Sequence, residues 1–163
     1  MKKFIILLCA LMLVTVSGSV EAVAQVRVYR GNSSYSGDII CTVRNGKIYK
    51  KSSAYSGDIL LNLQGNKVYK GNSRYSGDIL LNVDGAKVYR GNSCYSGDII
   101  CNIRDGKLYR NNSRYSGDII LNTYNNKVYN GNSRYSGDIL YRFDGPLTFP
   151  EFIAVWYVVN YIY

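Results

Sequence analysis

The side chains most able to do chemistry in this chain are six aspartates, Asp38, Asp58, Asp78, Asp98, Asp118 and Asp138. They stand twenty residues apart, each inside the phrase Tyr-Ser-Gly-Asp-Ile. Carboxylates serve as general acids and bases, but that work needs two groups whose surroundings push their pKa values apart. Six copies related by a fixed period have equivalent surroundings, so none is singled out as acid and none as base. The chain contains no His, which removes the commonest general base and the commonest metal ligand. No nucleophile–base pair, phosphate loop or metal-ligand spacing accompanies the aspartates. The expectation is therefore a protein that is not an enzyme, with no catalytic residue, no metal and no cofactor.

The same phrase carries residues suited to binding. Tyr35, Tyr55, Tyr75, Tyr95, Tyr115 and Tyr135 recur with the aspartates, and Arg74, Arg114 and Arg134 each precede one of these rings. Aromatic rings beside cations suit sugar faces or anionic headgroups. Tyr75, Tyr95, Tyr115, Tyr135, Arg74, Arg114 and Arg134 are thus the candidate ligand-binding residues, expected to crowd one rim of the fold. The alternative is that the tyrosines pack against neighbouring loops.

Whatever positions these residues must itself repeat. The copies align as 28–47, 48–67, 68–87, 88–107, 108–127 and a divergent 128–147, and a fixed period of this kind signals a repeat architecture. Five copies contain a two-residue turn: Asn45-Gly46, Gly65-Asn66, Gly85-Ala86, Asp105-Gly106 and Asn125-Asn126. Such residues accept the positive φ that two-residue hairpin turns require. The turn sets the register, with Arg44 facing Lys47, Val43 facing Ile48 and Thr42 facing Tyr49. Alternation then places Ile39, Cys41, Val43 and Ile48 on one buried face, followed by Ile59, Leu61, Leu63 and Val68, then Ile79, Leu81, Val83 and Val88. The other face, with Ile40, Thr42, Arg44, Lys47 and Tyr49, is expected to be wet. The phrase Asn-Ser-x-Tyr-Ser-Gly-Asp joins one hairpin to the next. In it Gly77 is expected to take a backbone angle that other residues resist, and Asn72, Ser73, Ser76 and Asp78 to hydrogen-bond loop amides.

The repeat ends at Gly145-Pro146. Thr148 is a plausible N-cap, Pro150 fits a first turn, and Glu151 suits the positive end of a helix. The following residues are apolar almost all round, as in a helix buried in protein or lipid. Twelve strands about 4.8 Å apart and tilted about 40° close on a circle roughly 24 Å across, too wide for their own side chains to fill. A helix about 10 Å thick would fill it. The expected fold is all-β: a closed antiparallel barrel of about twelve short strands from six 20-residue hairpin repeats, around a C-terminal apolar α-helix. Residues 25–146 form the barrel and 147–163 the helix, which is short for a bilayer core of about 30 Å, so its membrane insertion is not expected. Cys41 and Cys101, three repeats apart, fall on opposite walls as buried thiols, and Cys94 is an exposed loop thiol.

Residues 1–24 read as a signal peptide. Met1-Lys2-Lys3 is basic, Phe4 to Val16 is apolar, and Ala22-Val23-Ala24 supplies the small-x-small pattern for cleavage between Ala24 and Gln25. An exported protein, periplasmic or extracellular and of Gram-negative type, is expected. Lys2, Lys3 and Glu21 leave with the leader, so the mature chain carries +8 of the full chain's +9. That excess favours anionic partners. The basic residues recur with the repeat instead of forming a block, so no nucleic-acid partner is expected.

Repeats of the form Gly-Lys-[VIL]-Tyr-x-Gly-Asn-Ser-x-Tyr-Ser-Gly-Asp-Ile resemble the bacterial β-flower proteins, the four-fold β flower group, over residues 26–145. That resemblance implies a shallow barrel of repeated hairpins of uncharacterised function. Twelve strands around an apolar C-terminal helix are also similar in architecture to the tubby C-terminal and phospholipid scramblase-like fold. Together with the positive charge, these likenesses imply envelope-associated binding of a lipid or another anionic ligand. The alternatives are a cell-wall or glycan-binding solenoid of Tyr-rich hairpins, and a purely structural or interaction protein.

Overall fold

The computed structural model describes residues 25–163, so the expected signal peptide and the Ala24 side of its expected cleavage site lie outside the described residues. Twelve strands follow in sequence: β1 Gln25–Arg30, β2 Ile39–Arg44, β3 Lys47–Lys50, β4 Ile59–Gln64, β5 Lys67–Lys70, β6 Ile79–Asp84, β7 Lys87–Arg90, β8 Ile99–Arg104, β9 Lys107–Arg110, β10 Ile119–Tyr124, β11 Lys127–Asn130 and β12 Ile139–Phe143. Each is antiparallel to its neighbours, and β1 pairs with β12 through Val28 opposite Phe143, closing the barrel. Closure leaves no free sheet edge, and it overturns the open solenoid alternative. The hairpin register is the expected one, with Thr42, Val43 and Arg44 opposite Tyr49, Ile48 and Lys47.

The helix α1, Phe149–Tyr161, opens with the expected capping box. Glu151 N–H donates to Thr148 Oγ1, and the Thr148 N–H donates to Glu151 Oε2 at 2.9 Å. Phe152, Ile153, Ala154, Val155, Trp156 and Val158 are buried and join the inward residues of the barrel in one core. The helix enters at the hairpin-turn end, where Phe152 meets Phe143 edge-on at 6.4 Å. It leaves at the connector end, where Tyr157 and Tyr161 face Leu80 and Ile100. It lies off-centre, packed most closely against β4, β2 and β5. No helix among the described residues is long and apolar enough to cross a membrane.

Simple alternation fails at one point in every repeat. Val28 pairs with Cys41 but Tyr29 with Ile39, and Ile48 pairs with Leu61 but Tyr49 with Ile59. One residue is skipped each time, a β-bulge at Ile40, Leu60 and their equivalents. A one-residue slip changes which face a side chain takes, so the expected assignment of these positions is reversed. Ile40 joins the central core, and Leu60, Leu80, Ile100 and Ile120 pack against it. Ile39, Ile59 and Ile79 instead share the outer side with their tyrosine partners.

Nor is the outer face wet. Thr42, Asn62 and Asn122 are almost fully buried, and Tyr29, Tyr49, Tyr69, Tyr89, Tyr109 and Tyr129 retain under a tenth of their surface. The connectors fold back over this face. Asn62 Nδ2 donates to the Ser73 carbonyl at 2.9 Å, Asn82 to Ser93 at 3.0 Å and Asn102 to Ser113 at 3.0 Å. Thr42 Oγ1 donates to Lys51 O at 2.7 Å.

Cys41 and Cys101 are buried on β2 and β8, six strands apart around the barrel, and Cys94 is exposed. Burial pushes the Cys41 and Cys101 thiols up to about 12.

Two outcomes follow from this core. Burying a large apolar side chain contributes about 1.5–3 kcal/mol, so the five large buried residues of α1 together match the whole stability of a typical domain, about 5–15 kcal/mol. A chain of residues 25–146 is expected to show no cooperative melt by circular dichroism. In residues 25–163, a maleimide at pH 8 is expected to label only Cys94, and all three cysteines in denaturant. Because the folded thiols hold their protons more tightly than unfolded ones, their contribution to stability is intact below about pH 9. It is lost as pH rises towards 12, read as a falling melting temperature over that window.

Candidate functional site

The connectors that carry the candidate tyrosines are built identically. Tyr75 N–H donates to Ser73 Oγ at 3.1 Å, Ser73 Oγ–H donates to Asp78 Oδ2 at 2.5 Å, and Asp78 N–H donates to Tyr75 O at 3.0 Å. The same bracket holds in the other five copies, Ser133 with Asp138 included. Each aspartate is thus occupied in fixing its own loop. The residue expected to need unusual backbone freedom is misplaced by one turn. Gly77 sits in a 3-10 turn with ordinary φ, and a Cβ there would meet nothing within 4 Å. Positive φ falls on Gly71, at 56°, and on its counterparts Gly91, Gly131, Lys51 and Asn111.

Held this way, the six rings stand clear of the protein. Tyr35, Tyr55, Tyr75, Tyr95, Tyr115 and Tyr135 are each 76–80% exposed. Because the connectors lie along the barrel's outer wall, the rings form a belt around it. Of the arginines beside them, Arg134 lies over the ring of Tyr124 on β10, at 4.6 Å. At the equivalent place in the first copy, Arg44 Nη2 donates to Ala54 O at 3.3 Å; Arg142 of β12 donates from Nη1 to Ser33 O at 3.3 Å, the place that Asn62 takes against Ser73. Tyr75, Tyr95, Tyr115 and Tyr135 with Arg74, Arg114 and Arg134 line none of the four cavities described below.

Convergence occurs elsewhere, at the connector end where α1 emerges. Lys50 pairs with Cys41, Lys70 with Leu61, Arg90 with Leu81, Arg110 with Cys101 and Arg30 with Tyr141, all partners being buried inward residues. Directly paired residues share a face, so five cations start from the inner wall and form a ring at the mouth. Asn130, opposite Leu121, takes the sixth position. Among the described residues the one salt bridge is Arg27–Asp144 at 3.6 Å, and none of the five ring cations is paired. The ring surrounds the helix C-terminus, whose unsatisfied carbonyls favour positive charge.

Between ring and helix lies an annular groove. Cavities of about 490, 340 and 370 Å³ open there. Leu60, Leu80, Ile100 and Ile120 form the outer side, Trp156, Tyr157 and Tyr161 the inner side, and Lys70, Arg90 and Arg110 the rim. Tyr161 stacks on Tyr157 at 4.9 Å and meets Trp156 edge-on at 5.7 Å. Trp156 Nε1 is buried without a hydrogen-bond partner among the described residues. A smaller cavity of about 220 Å³ lies at the opposite end, against Ile103, Phe149 and Phe152. Among the described residues no three His, Cys, Asp or Glu side chains are placed to hold a metal.

Sequence reasoning missed the mouth, although the signal was present. Each ring position directly follows the hairpin tyrosine, and extending the register by one residue from Thr42–Tyr49 puts Lys50 opposite inward Cys41.

A contrast of glycines checks the loop geometry. Gly77→Ala is expected to leave the melting temperature unchanged or slightly raised. Gly71→Ala, forced to positive φ, is expected to destabilise by about 1 kcal/mol, and Asp78→Ala by about 1–2 kcal/mol, read by urea unfolding.

Three comparisons complete the description. The family model described as 6-fold beta flower protein matches residues 28–156. No curated protein and no solved structure matches the chain.

Proposed function

The chain belongs to the 6-fold beta flower family, and we propose that it is an exported, non-catalytic scaffold that binds an anionic lipid of the cell envelope at the mouth of its barrel. The family assignment replaces the four-fold resemblance with its six-fold counterpart, in keeping with six repeats and twelve strands. The likeness to tubby-type barrels stays at the level of strand number and a single helix.

The observation that carries this reading is the coincidence of a cation ring with an apolar groove. Five Lys and Arg side chains without an ion-pair partner among the described residues encircle aliphatic and aromatic surface. Tyr161, Ile162, Tyr163 and Leu140 are exposed at the same end. An amphiphile with a negative head satisfies both parts at once. A neutral ligand would leave the cations idle, and a small hydrophilic anion would leave the apolar surface in water. A catalytic reading has no support of this kind, because the repeated carboxylates are all held by serine hydroxyls. Export is supported by the leader-like segment before Gln25.

Residues 25–163 are expected to sediment with vesicles of phosphatidylglycerol but not phosphatidylcholine, and less so as salt rises from 0.1 to 0.5 M. Basic side chains near an anionic surface contribute about 1 kcal/mol each. The triple variant Lys70→Glu, Arg90→Glu, Arg110→Glu is therefore expected to bind roughly a hundredfold more weakly. The wall variant Arg74→Glu, Arg114→Glu, Arg134→Glu is expected to lose far less. If the wall variant loses binding and the mouth variant keeps it, the site is the tyrosine belt and the mouth reading is wrong.

A further inference from the structure

The mouth offers more than a charged surface. We propose that the annular groove takes up a single acyl chain with an anionic head, laid along the arc between α1 and the barrel wall. This inference rests on the reading of the mouth as a lipid site and specifies what enters it.

The three cavities are segments of one groove. The first two share Leu80, Tyr157 and Tyr161, and the last two share Arg90, Ile100 and Tyr161. They extend from β4 to β10, six interstrand steps of about 4.8 Å, or roughly 29 Å along the wall. Each of the three, at about 490, 340 and 370 Å³, is by itself in the range of small-molecule sites, about 300–1,000 Å³. Although the helix packs most closely against β4, β2 and β5, the groove begins at β4 and β5 with Ile59, Leu60 and Lys70 and runs round to Ile120 of β10.

Its chemistry is that of a chain binder. Aliphatic residues from the bulge positions line one side and aromatic residues of α1 the other, so a flexible apolar tail is in contact along its length. Lys70, Arg90 and Arg110 stand at intervals on the rim, each able to receive a carboxylate or phosphate head at the groove's edge. The unpartnered Trp156 Nε1 lies at the same place, a donor without an acceptor. A bilayer surface reaches the rim and the protruding Tyr161–Tyr163, whereas a recessed groove behind them admits single chains.

Trp156 is the one tryptophan in the chain, so its fluorescence reports directly on the groove. Residues 25–163 are titrated with 9,10-dibromostearate below its critical micelle concentration. Saturable quenching is expected, reversed by palmitate or dodecyl phosphate and not by inorganic phosphate or dodecyl maltoside. Leu80→Phe and Ile100→Phe, each shown to be folded by its melt, are expected to weaken quenching at least tenfold by filling the groove. If neither variant changes the affinity, the chain lies elsewhere and the inference is overturned. If dibromostearate does not quench while phosphatidylglycerol vesicles still bind, the mouth docks on bilayers and only the chain uptake is wrong. Failure of both would remove the lipid reading as well.

Discussion

A twelve-strand barrel encloses more space than its own side chains can occupy, and everything else in this protein follows from how that space is filled. Val28, Cys41, Ile48, Leu61, Val68 and their equivalents project inwards and are fully or almost fully buried, yet they meet across the barrel only through α1. Interiors are packed to crystal-like density, so a wide barrel without a plug would be either hollow or collapsed. The non-repeating segment after Pro146 removes that difficulty. It is hydrophobic all round because it is surrounded on all sides, and its capping box supplies the backbone partners that a helix entering apolar surroundings needs.

The barrel has a second buried layer outside the first. Short strands of four and six residues give each hairpin little area, and a sheet wet on its outer face would rest on the inner core alone. The connectors change that balance. By folding back they cover Tyr49, Ile59 and Asn62, and buried Asn side chains find loop carbonyls as partners. The Ser–Asp bracket then serves a packing role: it stiffens the loop that acts as the outer lid. Twenty residues per copy is what a hairpin plus such a covering connector requires.

Much of this was legible from spacing alone. Turn residues at fixed offsets set the hairpins, the register and the strand number, and the width of the resulting ring called for a core helix. Two things were not legible. The bulge at Ile40 and Leu60 leaves no compositional trace, because both members of Ile-Ile or Ile-Leu are apolar and either could face inwards. The loops' direction was equally hidden: a connector rich in Asn, Ser and Gly reads the same whether it caps a rim or lies on a wall. The loops' direction bears on the candidate rings, which stand on the wall, whereas the cations after the hairpin tyrosines follow from the hairpin register itself.

The groove exists because symmetry cannot be complete. Six near-identical hairpins make six equivalent walls, and equivalence argues against any one copy doing distinctive chemistry. A single helix has no six-fold axis, so placing one inside such a barrel forces the copies to differ: α1 packs most closely against β4, β2 and β5, and the groove beside it runs from β4 to β10. Asn130 in place of a cation and Trp156 on one helix face sharpen the difference further. What sets one copy apart from another therefore lies where the repeat meets the segment that does not repeat. The most conspicuous motif in the sequence builds the connectors, and the asymmetry of the structure belongs to the surfaces that its regularity leaves unmatched.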